Sequence, residues 1–199
     1  MPNPLTSKWF LQTRPQFLLL SVALAFHGSA LAAWQLAERQ AGSIDWVHSI
    51  LAMLALTLMH GAVDALNDWH DYARTGIDKE VRKTPFSGGG GLMTAGVMSP
   101  RGALGVGLVT LLTGMAIGLY LVAVSGLPLL WLGLAGAISV VLYTPVFVRI
   151  GLGELVAGLG LGTLPLVGVY YLLTGQIDAV AWVSGIPAGL LTYNLLLLN

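Results

Sequence analysis

The segment Asn67-Asp68-Trp69-His70-Asp71, followed by Asp78, gathers three carboxylates at the end of an apolar run. Carboxylates in such a setting are costly unless something positive meets them. A divalent cation carrying a phosphorylated substrate meets that need, because Mg²⁺ takes one or two carboxylates and completes its shell with phosphate oxygens and water. Asn67, Asp68, Asp71 and Asp78 are therefore the candidate metal ligands. At 100° per residue, His60, Asp64, Asn67, Asp68 and Asp71 fall within one arc of about 100° on a helix. One polar stripe on an otherwise Leu, Ala, Met and Val segment predicts a cavity inside a helix bundle, with His60 and Asp64 as its deeper pocket residues. The alternatives are a helix end meeting headgroups for Asp68 and Asp71, and an interhelical hydrogen bond for His60 and Asp64.

The next stretch, 75–91, is unusual for a connector. It places Lys79, Arg82 and Lys83 just ahead of Gly88-Gly89-Gly90-Gly91. A glycine run lets backbone N–H groups approach an anion closely, and neighbouring basic side chains can pair with phosphate. A flexible linker has the same composition. Beside three acids it reads as a diphosphate lid, with Arg82 and Lys83 as its grip. It is no nucleotide P-loop, since no Gly-Lys-Ser/Thr follows. A third group comprises Tyr143-Thr144-Pro145, Arg149 and Gly151-Leu152-Gly153-Glu154. Arg149 and Glu154 either pair with each other or flank the same cavity, and Tyr143 is a candidate pocket residue. Gly158, Gly160 and Gly162, like Gly114 and Gly118, read as sites of close helix packing.

The elements that must carry these groups are legible in the charge pattern. Apolar residues make up 56% of the 199-residue chain and charged ones 9%, far below the quarter or so of a typical soluble domain. The segments 15–37, 102–148, 155–177 and 179–199 contain no Asp, Glu, Lys or Arg, and 46–66 contains only Asp64. A helix needs about 20 residues to cross a bilayer, so 102–148 must hold two crossings, turning at Ser125-Gly126-Leu127-Pro128. The expected fold is an all-α, polytopic transmembrane bundle of six spans in a single domain, 1–199. The first span is longer than a signal-peptide core and is expected to stay uncleaved. Lys8, Arg14, Arg74, Lys79, Arg82, Lys83, Arg101 and Arg149 fall on one side of such a bundle and Arg39 alone on the other. That bias puts both chain ends and the acidic segment in the cytoplasm. Disulfides and thiolate metal sites are excluded by the absence of cysteine.

Asn67-Asp68-x-x-Asp71 with Gly76 and Asp78 resembles the first Asp-rich motif of the UbiA superfamily of intramembrane aromatic prenyltransferases. Thr84-Pro85-Phe86-Ser87-Gly88-Gly89, Tyr143-Thr144-Pro145, Gly151-Leu152-Gly153-Glu154 and Tyr170-Tyr171-x-x-Thr174-Gly175 resemble the branch containing 1,4-dihydroxy-2-naphthoate polyprenyltransferase. The Arg14-Pro15 pair also suits the family. The resemblance implies Mg²⁺-dependent transfer of a prenyl group from an isoprenoid diphosphate to an aromatic acceptor such as a dihydroxynaphthoate. It implies a role in menaquinone-type quinone synthesis in the inner membrane, with an active site facing the cytoplasm. Asp68 and Asp71 would hold the metal with Asn67 nearby, Arg82, Lys83 and Arg149 the departing diphosphate, and Tyr143 would line the pocket. Two departures stand out. Asp78 lies about one residue farther from Asp71 than is usual in that branch. The family's nine helices and second Asp-rich motif are not all here, so the chain reads as a fragment that is inactive alone. A proton- or cation-coupled transporter half and a non-catalytic membrane scaffold are the competing readings. The expected surroundings are a lipid bilayer, with no nucleic-acid partner.

The basic-residue asymmetry makes a topology prediction. A reporter inserted within Gly88–Gly91 should be found in the cytoplasm and one at Gly42 outside, and the reverse labelling would overturn the orientation.

Overall fold

The computed structural model describes residues 4–80, 83–84 and 88–197, without the side chains of residues 4–7, 78, 140 and 144. Everything with regular structure in it is helical. A short helix α1 (Pro4–Leu11) precedes α2 (Pro15–Glu38), α3 (Trp46–His70), α4 (Pro100–Ser125) and α5 (Leu127–Val141). The chain closes with α6 (Gly153–Ala157), α7 (Leu164–Thr174) and α8 (Ala179–Leu197). A π-helical turn over Gly158–Thr163 joins α6 to α7, giving one continuous crossing, Gly153–Thr174. Among the described residues, five helices are long and apolar enough to cross a membrane. The molecule is a polytopic helical bundle and an integral membrane protein.

The helix ends follow their local chemistry. The Asp45 carboxylate accepts from Val47 N at 2.9 Å and His48 N at 3.1 Å, satisfying donors that the first turn of α3 leaves unpaired. Ser99 does the same for α4 at Gly102 N, with Pro100 in the first turn, where its missing N–H costs nothing. Between α4 and α5 the chain reverses at Gly126, whose φ of +93° is closed to most side chains. Here the turn expected at 125–128 is found. The fourth crossing is shorter than expected, since α5 has only 15 residues. It gives way to a π-helical turn over Tyr143–Phe147, where Pro145 has no N–H to continue the helical ladder and its ring disfavours a helical residue before it.

Small side chains hold the bundle together. Lipid tails are as apolar as leucine, so helices in a bilayer gain little from hiding Leu and much from close backbone approach. α2 and α7 meet at Gly28, where an added Cβ would lie 2.9 Å from Leu166 O. α3 and α4 meet at Gly114, 3.2 Å from Ala55 O, and the turn after α6 meets α8 at Gly162, 2.7 Å from Gly189 Cα. The buried set is correspondingly rich in alanine, with Ala25, Ala32, Ala52, Ala62 and Ala65 on α2 and α3. Ser29 and Ser49 share a 2.7 Å hydrogen bond between those two helices. Leu112, Trp131 and Leu191 face outward, where lipid receives them.

The end of the bundle away from the Asp-rich segment is tied by Tyr170 and Tyr171. Tyr171 Oη donates to Ser125 O at 2.8 Å, and Tyr170 Oη to Asp178 Oδ2 at 2.8 Å. Arg39 completes the second tie at 3.0 Å. Partial burial pushes the Asp178 carboxyl up, but the hydrogen bonds from Tyr170, Ala181 N and Arg39 outweigh it and hold it below its ordinary value.

The contact at Gly162 is backbone against backbone and cannot yield. Gly162→Val should lower the thermal stability of the detergent-solubilised protein by about 1–3 kcal/mol or more. Gly105→Val, at a position where an added Cβ meets nothing within 4 Å, should leave it nearly unchanged.

Candidate active site

The polar stripe of α3 faces inward. His60, Asp64 and Asp68 are buried, and together with Asn67 and Asp71 they line one cavity of about 820 Å³. The helix runs on past His70 as a π-helical turn, Asp71–Thr75, which keeps Asp71 on the same side as Asp68. Gly76, at φ +74°, then ends it. Tyr143 comes to the cavity from the turn after α5, and Gly88 and Gly89 come from the glycine-rich loop. Deeper walls are apolar, with Leu20 and Ala23 of α2, Val63 of α3 and Leu161 after α6.

Two partners of Asp68 come from far along the chain. Its Oδ2 accepts from Gly90 N at 2.9 Å and from Gln12 Nε2 at 3.3 Å. No side chain fits at Gly90, because an added Cβ would lie 2.6 Å from that same oxygen. Asp64 lies 3.7 Å from Arg14 Nη1 and 3.9 Å from His60 Nε2, and His60 Nδ1 shares a 2.8 Å hydrogen bond with Ser21 Oγ. Arg14 sits in the elbow between α1 and α2 with φ +50° and ψ +63°, a left-handed conformation that few residues other than glycine adopt. This conformation aims its guanidinium into the cavity, over the Phe17 ring at 4.6 Å. Buried Arg14 Nε and Asp64 Oδ2 have no hydrogen-bond partner among the described residues.

The other sequence candidates are placed as follows. Lys83 Nζ donates to Gly88 O, so it braces the glycine-rich segment. Arg149 is exposed beside Val148, which does line the cavity. Neither an ion pair with Glu154 nor a place on the cavity wall is found for it. The side chain of Asp78 and the whole of Arg82 lie outside the described residues. Sequence reasoning missed Gln12 and Ser21, expected the Gly90 amide to meet a substrate anion rather than Asp68, and weighed Arg14 only as part of a motif and of the charge asymmetry. A basic residue directly before a proline that opens an apolar span was the available signal for Arg14.

Chemically, the cavity is an acidic mouth on an apolar chamber. Among the described residues, no group of three His, Cys, Asp or Glu side chains is gathered closely enough to hold a metal alone. Asp68 and Asp71 instead offer the one or two carboxylates that Mg²⁺ uses when a substrate's phosphates supply further ligands. The residues present therefore fit a cation shared with substrate, not one caged by protein.

A family model described as the UbiA prenyltransferase family matches residues 26–199. The chain belongs to the UbiA prenyltransferase family. Among curated proteins it is 28% identical over 208 residues to the 1,4-dihydroxy-2-naphthoate octaprenyltransferase of Haemophilus influenzae, covering 100% of this chain and 65% of that protein. Proteins of the same name from Escherichia coli and Mycobacterium tuberculosis are 29% and 26% identical, covering 98% and 97% of this chain and 62% and 63% of their own lengths. The chain thus spans a little under two thirds of the curated relatives it matches. No solved structure matches it.

The Gly90–Asp68 hydrogen bond gives a direct test of the assembly. Asp68→Ala should raise amide hydrogen exchange in Gly88–Gly91 by about tenfold or more, the scale of a hydrogen bond to a charged group of about 1.5–3 kcal/mol. Unchanged protection there would mean that something else holds the loop.

Proposed function

We propose that the protein, in its full length, transfers a prenyl group from an isoprenoid diphosphate to an electron-rich aromatic ring such as a dihydroxynaphthoate. The observation that carries this reading is the convergence of Asp64, Asp68, Asp71, Arg14, Tyr143 and the glycine-rich loop on one cavity with apolar deeper walls. Membership of a prenyltransferase family, and relatives named for octaprenyl transfer to dihydroxynaphthoate, support the same reading. The setting we infer is the inner membrane, with the acidic mouth at the cytoplasmic face.

Asp68 and Asp71, with Asn67 beside them, would hold Mg²⁺. The ion supplies charge neutralisation to a diphosphate as it departs. Arg14 lines the same space, and its guanidinium suits it to an anionic group. Backbone N–H groups of the glycine-rich loop approach from the other side, while Lys83 and, by its place in the sequence, Arg82 lend the loop positive charge. Arg149, exposed and off the cavity wall, would meet the anion only outside the cavity. Breaking the allylic C–O bond sends its electron pair to the diphosphate. The resulting carbocation is captured by the aromatic ring, forming a C–C bond, and the ring regains aromaticity by losing from that carbon a proton, which the departed diphosphate can accept, or CO₂ where a carboxylate stood. Tyr143 and the apolar walls exclude water, the competing nucleophile.

The intramembrane His60 and Asp64 would equally suit a proton relay, but such a relay has no use for an amide-rich loop tied to the acidic helix. Asp68→Asn and Asp71→Asn, each in the full-length protein, should lower prenyl transfer by about a hundredfold or more, the scale on which buried charge stabilisers act. Membrane insertion should be preserved. Normal turnover in both variants would overturn the site.

A further inference from the structure

The elbow between α1 and α2 lies along one face of α3. Gly61, Asp64 and Asp68 follow one another at spacings of three and four residues, which stacks them on that face. Each residue of the elbow takes one of them. Thr13 packs on Gly61, where an added Cβ would lie 3.0 Å from Thr13 Cβ. Arg14 reaches Asp64 at 3.7 Å, and Gln12 Nε2 donates to Asp68 Oδ2 at 3.3 Å.

Gln12 is the odd member of the three. It is only 1% exposed, and its backbone N–H is already used in the last turn of α1, donating to Lys8 O at 3.1 Å. The side-chain Nε2 goes to Asp68, whereas the buried Oε1 has no hydrogen-bond partner among the described residues. A buried carbonyl left unmet is a cost that a methionine of the same length would not carry. Packing of the elbow therefore does not call for an amide at this position. Asp68 does.

What Asp68 gains is orientation. The torsion that swivels an aspartate carboxylate has a broad preference, so its direction must be fixed by what it meets. Gln12 Nε2 and Gly90 N, at 2.9 Å, converge on the same oxygen. Both are neutral donors, so they fix Oδ2 without adding positive charge. Gly90 comes from a loop whose neighbours Gly88, Gly89 and Gly91 all have positive φ, whereas Gln12 is seated with Thr13 in a buried elbow. The elbow is the firmer support.

We propose that Gln12 is a positioning residue of the prenyl-transfer site, holding the Asp68 carboxylate in the direction in which it meets a divalent cation shared with diphosphate. The inference rests on the prenyl-transfer reading and deepens it. Gln12 is not among the residues that line the acidic cavity, so it acts on the cation only through Asp68. A hydrogen bond made outside the cavity thus aims a ligand inside it.

The test measures Mn²⁺ affinity by electron paramagnetic resonance, in full-length protein in nanodiscs saturated with inorganic diphosphate. Gln12→Met and Gln12→Asn should each weaken Mn²⁺ binding by about tenfold or more, the usual effect of removing a partner that orients a metal ligand. In an Asp68→Ala background, Gln12→Met should change Mn²⁺ affinity by less than about twofold, because two residues acting through one contact are not additive. Methionine keeps the length and asparagine keeps the amide, so misfolding of one variant leaves the other to decide. Wild-type Mn²⁺ affinity in a folded Gln12 variant overturns the proposal, as does a full tenfold loss that persists without Asp68. Failure of both variants to fold overturns it in favour of a Gln12 that only holds the elbow. Those outcomes leave the prenyl-transfer reading standing, provided that Asp68→Ala alone weakens Mn²⁺ binding. If Asp68→Ala binds Mn²⁺ like the wild type, the acidic site and the role of Gln12 fall together.

Discussion

A carboxylate buried among apolar helices must be met by donors, and at Asp68 that demand draws together distant parts of the chain. Gln12 arrives from the elbow before the first long span, and Gly90 from the loop that follows the acidic helix. One turn deeper, Asp64 exerts the same pull on Arg14. The left-handed backbone of Arg14 costs on the order of 1–2 kcal/mol. It is held there because the alternative leaves an acid facing apolar walls with no cation near it, which costs more. The start of α2, the course of the glycine-rich loop and the shape of the acidic mouth all follow from these two carboxylates.

Away from the acids, the bundle is organised by side chains that are missing. Where Gly28, Gly114 and Gly162 sit, backbones touch and the helices are fixed in register. Where Gly118, Gly133 and Gly136 sit, an added side chain would meet nothing within 4 Å. The same residue type thus serves rigidity in one place and vacancy in another. The difference lies in which helix stands opposite, which composition cannot reveal.

Much of this arrangement was legible in the sequence. Charge-free runs marked the spans, Gly126 marked the reversal between α4 and α5, and angular counting placed His60, Asp64, Asn67, Asp68 and Asp71 on one face, all of which line the cavity. The elbow was not legible. Gln12 and Asp68 are 56 positions apart, and no local pattern encodes a hydrogen bond across that distance. Lys83 read as a grip on diphosphate, and nothing local foretold that its ammonium would also donate to Gly88 O within the same loop. Tyr170 and Tyr171 belonged to a motif of the active branch, but their hydroxyls tie helix ends on the opposite side of the bundle. In each case the residue type limited what chemistry was available, and tertiary proximity decided which partner took it.

The shortness of α5 has a consequence for the membrane itself. Its 15 residues span about 22 Å at 1.5 Å per residue, against a hydrocarbon thickness of about 30 Å. The turn at Tyr143–Phe147 must then begin below the level of the surrounding headgroups. Lipids in contact with α5 have to shorten or tilt to meet it, a mismatch costing fractions of a kcal/mol per ångström. Thinning of that kind at the edge of the acidic cavity would let an amphiphile with a charged head and a long apolar tail approach without its head crossing the hydrocarbon core.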